Sequence, residues 1–269
     1  MIKGIESIGV VLVVYRKALS KSSSFISLCD LNPRPYLVVV DNSAEPQTPP
    51  NYEGGLEYVH FGHNPGVSAA YNEAARRFLK RGFTHLLLLD DDSKLSQTYW
   101  KELGESLITS PQYAWFCPRV KDQKGWVSPF KLLGGRGFRP KILKSGNCDL
   151  IPINSGSCVK LKAFEEIGGF DENLPLDFSD IDFFIRLKKK GHQGFVLNAC
   201  LEHELSSEQR PEKQVVKWRF EMLRKSALYF GRKHKSLGTE YFWVALRGVK
   251  LAWNYKDFKF IKSLFNAWR

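Results

Sequence analysis

The chain has few cysteines, and none of them is placed to form a known metal or redox motif. Its five cysteines are scattered along 269 residues, their number is odd, and no CxxC pair occurs. This pattern argues against a zinc site and against a disulfide framework. We therefore expect reduced thiols, as in the cytoplasm. No internal repeat or low-complexity segment is visible in the sequence either.

The sequence also lacks a long hydrophobic run. The apolar run near its start has about seven residues with a glutamate before it, whereas a transmembrane helix needs about 20 apolar residues. This run is also too short for a signal peptide with a small-residue cleavage site. With 43% hydrophobic residues, the chain can still bury a full core, as one large domain or as one domain with a smaller appendage.

The net charge of +12 is unevenly distributed along the chain. Residues 211–269 carry 14 Lys and Arg against 4 Asp and Glu, whereas residues 1–210 carry 26 against 24. This change in composition predicts a domain over residues 1–210 and a basic, tryptophan-rich helical tail over residues 211–269. Basic helices with interleaved aromatic rings suit an anionic membrane surface. A solvated basic face over an ordinary helical core is the alternative.

A basic patch can also bind nucleic acid. No recognised nucleic-acid-binding module accompanies the tail, and the rest of the chain is nearly neutral, so we expect no nucleic-acid partner. Because the thiols are expected to be reduced and the apolar runs are short, the expected location is cytoplasmic. The basic tail allows either a protein in solution or one that is peripheral on the inner face of the cell membrane.

Apolar runs of strand length alternate with segments of helix length over the first 210 residues. This alternation predicts an α/β fold with βαβ units in a mostly parallel sheet. Residues 121–147 show no periodicity and predict a long functional or mobile loop. The predicted strands are residues 8–15, 36–40, 56–61, 86–89, 113–120 and 195–197. The predicted helices are residues 17–31, 66–81, 97–109, 160–167 and 180–190, with two or three tail helices over 212–230, 239–253 and 257–268.

Residues 84–93, THLLLLDDDS, are the segment around which the other signals are arranged. Four leucines between polar residues predict a strand buried on both faces of a parallel sheet. Asp90, Asp91 and Asp92 follow at its carboxyl end, where open α/β sheets bind ligands. Two carboxylates one residue apart can bind a hard divalent cation, which can in turn hold a diphosphate. A solvated acidic turn is the alternative.

Two further segments precede this strand. Asp41 follows a buried strand and is placed to accept hydrogen bonds from a base or ribose, although an Asx turn explains it equally well. Asn64, in an Asn-Pro-Gly sequence, is predicted to cap a helix whose first amides could face an anion. A plain helix cap is the alternative.

Three further segments follow it. The small residues around Ser155 and Gly156 would let a ligand approach the backbone, unless they form a simple turn. Asp180 lies where a helix is predicted to begin, which keeps a carboxylate ionised and oriented, as a general base requires; N-capping alone would also explain it. His203 lies between Glu202 and Glu204, which would favour a cation nearby, although a lone histidine is more often structural.

The order of these segments resembles the family 2 glycosyltransferases, which are inverting enzymes with the GT-A fold that use nucleotide sugars. Within that family it is most similar to the bacterial rhamnosyltransferase branch. The resemblance covers roughly residues 8–206, about three quarters of the chain, and is less specific for the sugar than for the family. It rests on the segments LLLLDDDS, NSGS, GGFDE, DFSDIDFFIRLKKKG and LEHE.

The resemblance implies a GT-A, Rossmann-like, mostly parallel sheet flanked by helices, here with a basic α-helical extension. It implies transfer of a sugar, rhamnose from dTDP-rhamnose first, to a saccharide or polyprenyl-linked saccharide in O-antigen or capsule synthesis. A UDP-dependent galactosyl, galactofuranosyl or glucosyl transferase is the alternative within the fold. A non-catalytic nucleotide-sugar-binding protein and a basic RNA- or lipid-binding adaptor are alternatives from other classes.

The resemblance also implies roles for the donor-side residues. Asp41 would contact the nucleoside, and Asn64, Asp90 and Asp91 would belong to the donor-nucleotide site. Asp90 and Asp92 would bracket a DxD motif for Mg²⁺ or Mn²⁺, with Asp92 as the direct ligand. The first strand ends in VVYRK where the family often has Tyr-Asn or Phe-Asn, which puts base recognition by that turn in doubt.

On the acceptor side, the resemblance implies that Asp180 is the catalytic base and that His203 is a supporting metal or diphosphate ligand. Ser155, Gly156 and Asp182 would contact the acceptor or the sugar. We also expect the loop over residues 121–147 to shape the acceptor site. Many relatives have a glutamate directly before the base, where this chain has a serine, but relatives in the rhamnosyl branch also lack that glutamate.

Overall fold

The computed structural model describes residues 4–122, 125–133, 136–202 and 212–265. Its centre is the strand β1 (Ile8–Val14), in which all seven residues are buried. A continuous run of β-branched and leucine side chains fits such a position because both faces of a central parallel strand are covered. β1 pairs in parallel with the strands on either side of it, as the sequence predicts.

Nine of the described strands form a mixed sheet, in which the four parallel pairs are longer than the four antiparallel ones, and β7 and β8 form a separate antiparallel pair. The spatial order of its strands is β3-β2-β1-β4-β10-β5-β11-β9, and β6 pairs with β5 outside this path. The short strand β10 is antiparallel to both β4 and β5 and joins the two parallel parts. The strands are β2 (Tyr36–Asp41), β3 (Leu56–His60), β4 (His85–Leu89), β5 (Trp115–Asp122), β6 (Gly125–Ser128), β7 (Lys131–Leu133), β8 (Arg136–Phe138), β9 (Gly146–Cys148), β10 (Cys158–Lys160) and β11 (Gly194–Glu202).

Helices cover both faces of this sheet. Along β1, Val10 and Leu12 belong to the core under α1 and α3, whereas Val11 and Val13 belong to the core under α2, α4 and α5. This division follows from the two-residue period of a strand. The helices are α1 (Ser23–Cys29), α2 (Val67–Lys80), α3 (Gln97–Thr109), α4 (Leu161–Glu166) and α5 (Ser179–Lys189).

The basic tail folds into three described helices, which agrees with the sequence. They are α6 (Lys213–His234), α7 (Leu237–Tyr255) and α8 (Lys259–Phe265), and they share a core that includes Phe220, Val244 and Phe260. Phe178, which precedes α5, packs against this core. Within the described ranges, no helix combines the length and the apolar character needed to span a bilayer.

Two predicted elements are wrong. Residues 121–147 contain the short strands β6 to β9 instead of an unstructured loop, because strands of three or four residues are too short to show a periodic pattern. The helix predicted over residues 17–31 is confined to Ser23–Cys29, where the Ser22 hydroxyl accepts a hydrogen bond from the amide of Phe25 at 3.2 Å.

The start of α2 also differs from the prediction. Asn64 does not cap the helix; the N-cap is Gly66, with φ of 98°, and the Asn64 side chain accepts from the Gly66 amide at 3.0 Å. The amide of Val67 donates to the Pro175 carbonyl at 2.7 Å. A β-carbon on Gly66 would collide with Pro175, so only glycine allows this contact between α2 and the segment before α5.

We predict that Gly66→Ala destabilises the fold more than Gly82→Ala does. Both glycines have positive φ, which costs an alanine about 1–2 kcal/mol, but a β-carbon on Gly82 would meet no atom within 4 Å. The collision with Pro175 should add about 1–3 kcal/mol to the Gly66 variant. Urea unfolding measures both changes, and equal losses would contradict the assigned contact.

Candidate active site

The carboxylate of Asp90 is held from two sides at the end of β4. Its Oδ1 accepts a hydrogen bond from the Tyr71 hydroxyl at 2.9 Å, and its Oδ2 accepts one from the Ser155 hydroxyl at 2.6 Å. Tyr71 comes from α2 and Ser155 from the turn before β10. The position of Asp90 at the carboxyl end of β4 agrees with the prediction, and the two hydroxyls fix the orientation of its carboxylate.

Asp91 points to a different partner. Its Oδ1 accepts from the Lys17 ammonium at 3.0 Å, and its carbonyl accepts from Lys17 at 3.2 Å and from the Ser22 hydroxyl at 2.9 Å. The sequence does not single out Lys17, although its place three residues after the end of β1 puts it at the same edge of the sheet. Asp91 therefore ties the segment after β1 to the acidic turn, and its predicted part in the donor-nucleotide site stays a prediction.

Asp180 lies at the start of a helix, as the sequence predicts, and it is not the N-cap, which is the alternative explanation for its position. Phe178 is the N-cap of α5, with φ of 67°, and Asp180 lies in the first turn, where its Oδ1 accepts from the amide of Ile181 at 2.8 Å. Burial raises the pKa of Asp180 to about 6, the Ile181 amide opposes this shift, and the negative charges of Asp90 and Asp177 add to it. Asp180 is thus a carboxylate that titrates close to neutral pH.

Tyr71 reveals how close the acidic groups are. Its side chain is fully buried, and its pKa is raised by burial and then by the charges of Asp90, Asp180 and Asp92. Carboxylates from the end of β4 and from the start of α5 therefore act on one phenol group. The sequence does not indicate Tyr71, because a tyrosine among the alanines of α2 has the pattern of an ordinary core residue.

Asp41 is fully buried and already has donors within the chain. Its Oδ1 accepts from the Ser43 amide at 2.9 Å, and its Oδ2 accepts from Gln47 and Tyr58 at 2.8 Å each. Burial raises the pKa of Asp41, but these hydrogen bonds outweigh burial and lower it overall. The carboxylate anchors the segment between β2 and β3, and a contact to a nucleoside stays a prediction.

The Ser155-Gly156 turn packs against the sheet. Gly156 has φ of 77°, its amide donates to the Leu88 carbonyl at 2.8 Å, and its carbonyl accepts from the Tyr99 hydroxyl at 2.7 Å. A β-carbon there would collide with Leu201. Of the two residues of this turn that are predicted to contact the acceptor or the sugar, Ser155 faces the site through Asp90, whereas Gly156 serves the backbone of the turn.

The carboxylate of Asp182 is already paired within the chain. Its side chain is completely buried, and it accepts from Arg186 at 2.7 Å and from Lys233 and His234 at 2.8 Å each. Burial raises its pKa, but these partners outweigh burial and lower it overall. Asp182 faces α6 because α5 turns this side of its first turn towards the tail, and its predicted contact with an acceptor stays a prediction.

Lys233 extends this contact into a clamp between α6 and the body. We define the clamp as Asp171, Asp182, Lys233 and His234. The Lys233 ammonium also lies 2.6 Å from Asp171, whose carboxylate accepts from the Tyr229 hydroxyl at 2.8 Å. Next to the clamp, the rings of Phe178 and Phe230 stack with centroids 5.0 Å apart. The tail is therefore fixed to the helix that carries Asp180.

The described residues can hold a divalent cation only if a bound phosphate group supplies part of its coordination shell. His203, a predicted metal ligand, lies outside the described residues. Within them, no group of three acidic, histidine or cysteine side chains is arranged to hold an ion. Magnesium bound at nucleotide sites typically takes one or two carboxylates and completes its shell with phosphate and water oxygens. Asp90 and Asp92 match that donor set.

Comparison with solved structures defines the class of this fold. The crystal structure of GalNAc-T7 with UDP, GalNAc and Mn²⁺ covers 86% of this chain and 51% of its own, with a TM-score of 0.59 and 12% identity. The mannosyltransferase PcManGT from Pyrobaculum calidifontis, in complex with GDP-Man and Mn²⁺, covers 84% of this chain and 64% of its own, with a TM-score of 0.55 and 14% identity. The chain therefore has the GT-A glycosyltransferase fold, which confirms the predicted fold class.

In sequence, the chain is similar to the dTDP-rhamnosyl transferase RfbF of Shigella flexneri. The two are 27% identical over 200 residues, which cover 69% of this chain and 64% of RfbF. The match thus spans just under two thirds of the relative. No protein-family model matches the chain. The similarity confirms the predicted resemblance to the rhamnosyltransferase branch.

We predict that Asp180→Asn raises the melting temperature at pH 7 but not at pH 4. The pKa of Asp180 is about 6 in the folded protein, above its ordinary value of 3.8. Because the folded state binds the proton more tightly, this carboxylate destabilises the fold progressively as the pH rises from about 4 to 6, and asparagine removes that cost.

The gain at pH 7 should be a few degrees, measured by scanning calorimetry at both pH values. The exposed Asp30 provides the control, since Asp30→Asn should give the same small change at both. Equal melting temperatures for Asp180→Asn and the wild type at pH 7 would contradict the raised pKa.

We also predict that Lys233→Met destabilises the protein by about 1–3 kcal/mol, because the buried Asp182 carboxylate loses one of its three hydrogen-bonded partners. The neighbouring Lys235, which is exposed, provides the matched control. Urea unfolding of both variants tests the clamp. A loss for Lys233→Met no larger than that for Lys235→Met would show that the clamp contributes nothing.

Proposed function

We propose that this chain is an inverting glycosyltransferase that moves a sugar from a nucleoside diphosphate to a hydroxyl group of a saccharide. The observation that carries the proposal is that the buried Tyr71 hydroxyl donates to Asp90 at 2.9 Å while the charges of Asp180 and Asp92 act on the same hydroxyl, so that the three carboxylates meet at one site. Donor binding and catalysis place different requirements on the carboxylates of this site. Donor binding needs carboxylates at a strand end, and catalysis needs a base whose proton affinity is raised.

Asp180 would act as the general base. With a pKa of about 6, it is largely ionised at pH 7 and still basic enough to accept a proton. The acceptor oxygen attacks the anomeric carbon from the face opposite the diphosphate and loses its proton to the Asp180 carboxylate. The bond from the anomeric carbon to the diphosphate breaks, and its electron pair leaves with the nucleoside diphosphate.

Asp90 and Asp92 would hold the donor through a divalent cation, Mg²⁺ or Mn²⁺. When bound, such a cation neutralises charge that develops on the departing diphosphate. Tyr71 and Ser155 keep the Asp90 carboxylate oriented before the donor arrives, which is the usual way in which a preformed site lowers the cost of binding. GalNAc-T7 and PcManGT were both crystallised with Mn²⁺, which supports this part of the proposal.

The donor we propose is dTDP-rhamnose, because the relative RfbF is a dTDP-rhamnosyl transferase. A UDP sugar is the alternative, and GalNAc-T7 is an example of the same fold with UDP. The product would be a bacterial surface polysaccharide, made on the cytoplasmic side of the membrane. Trp253 and Phe258 are 85% and 81% exposed on the basic tail, which supports peripheral attachment to anionic lipid.

The test is turnover by Asp180→Asn. Loss of a general base typically costs about 10²–10⁴-fold in rate, so release of dTDP from dTDP-rhamnose with a saccharide acceptor should fall by that factor. Binding of dTDP with Mn²⁺, measured by calorimetry, should stay within a few-fold of the wild type. Asp30→Asn serves as the control for both measurements.

The variant also separates the proposal from its main competitor. Turnover by Asp180→Asn within a few-fold of the wild type would remove Asp180 from the role of base. Tight nucleotide binding with no turnover by the wild type, across a broad acceptor panel, would instead favour a non-catalytic nucleotide-sugar-binding protein.

A further inference from the structure

A cavity of about 780 Å³ lies where the tail meets the start of α5. Asp177, Phe178 and Ile181 line it on one side, and Trp243, Arg247 and Lys250 of α7 line it on the other. The β7–β8 hairpin contributes its Gly137 to the rim. This volume is that of a typical small-molecule site, and most of its wall belongs to the tail rather than to the nucleotide-binding half of the fold.

The cavity lies beside the proposed catalytic base. Asp177 and Ile181 flank Asp180 in sequence, and the charge of Asp177 acts directly on Asp180. A molecule in the cavity would therefore lie against the start of α5, which carries the proposed base, on the side of the tail. The clamp and the stacked rings of Phe178 and Phe230 keep the tail fixed against α5, so both walls of the cavity hold their positions.

An apolar stripe on α7 leads from the protein surface to this cavity. Phe242, Leu246, Val249 and Trp253 are 53%, 47%, 51% and 85% exposed. Their spacings of four, three and four residues place them on one face of the helix. Leu246 also lines the cavity. The stripe and the apolar part of the cavity wall are thus continuous, an arrangement that suits the insertion of a hydrocarbon chain.

The charges around the cavity favour an anion. Arg247 and Lys250 line it, and the charges of Arg247 and Arg219 both act on Asp177, which is the one acidic residue among the lining residues described. Three cations thus stand against one carboxylate. A phosphate group beside an apolar chain would match both features, whereas a neutral saccharide would use neither the stripe nor the excess of positive charge.

We propose that this cavity binds the acceptor as a lipid-linked molecule, with its phosphate or diphosphate at Arg247 and Lys250 and its lipid chain along the α7 stripe. The saccharide attached to that phosphate then extends past Phe178 and Ile181 towards Asp180. This assignment rests on the proposed function, since it makes the tail the acceptor-binding part of a glycosyltransferase. It also gives the exposed stripe an occupant, namely the lipid chain and the surface of the bilayer that carries it.

The experiment uses farnesyl diphosphate as the probe, below its critical micelle concentration and with EDTA present to prevent binding through a metal ion. Calorimetry with the full chain should show saturable binding, weaker binding of inorganic diphosphate and weaker binding of farnesol. Arg247→Ala with Lys250→Ala should weaken the binding of farnesyl diphosphate by at least about tenfold. Leu246→Gln should weaken the binding of farnesyl diphosphate but leave the binding of inorganic diphosphate unchanged.

The matched control is Lys225→Ala with Lys259→Ala, which removes the same charge from exposed positions outside the cavity. This control should bind the probe within about twofold of the wild type. Equal weakening by both double variants would show a general charge effect and overturn the assignment. Equal binding of farnesyl diphosphate and farnesol, or no binding of either, would also overturn it.

Two parallel measurements separate this inference from other outcomes. Light scattering at the same concentrations should show a monomer, since dimerisation abolished by Leu246→Gln would assign the stripe to a second copy of the chain and overturn the proposal. Calorimetry of dTDP with Mn²⁺ should give the same affinity for the wild type and both double variants. Nucleotide binding without probe binding would reject the cavity alone and leave the proposed transferase function standing.

Discussion

The pair of hydrogen bonds that holds the Asp90 carboxylate is the interaction on which the candidate site depends. It joins α2 through Tyr71, β4 through Asp90 itself and the turn before β10 through Ser155. Because both oxygens already accept a hydroxyl, the carboxylate has a fixed orientation at the edge where parallel strands end. The charge of Asp90 also reaches Asp180 and contributes to its raised pKa. One carboxylate thus organises the proposed donor side of the site and influences the group proposed as the base.

The clamp changes the interpretation of the tail. Composition alone marks residues 211–269 as a separate basic segment, but Lys233 and His234 of α6 close around the buried Asp182 of α5. An ion cluster with one completely buried member needs all its partners, since an unpaired buried charge is costly. The tail is therefore part of the structure that holds α5, the helix that carries Asp180. The tail helix α7 forms the outer wall of the cavity beside α5. Surface attachment and acceptor binding can then belong to the same set of helices.

Much of the sheet follows from the sequence, because β1 and β4 are continuous apolar runs with the period and length of buried strands. The ends of α3 are also predicted to the residue. The misses arise where a distant partner decides the outcome. Gly66 replaces Asn64 as a cap because Pro175 lies against it. Asp182 is buried against Lys233 and His234 of α6, which lie about 50 residues away in sequence. Tyr71 matters only through its contact with Asp90. Local patterns carry no record of such contacts.

The central claim is that the acidic edge of the sheet binds a nucleoside diphosphate with a metal ion, and thermal unfolding tests it most directly. A ligand at about 100 times its dissociation constant stabilises the folded state by about 2.7 kcal/mol. We therefore expect dTDP or UDP with Mn²⁺ to raise the melting temperature by about 5 °C or more, with little effect from either component alone or from the corresponding monophosphate. The absence of a shift with any nucleoside diphosphate and Mn²⁺ would contradict the account and leave only the fold established.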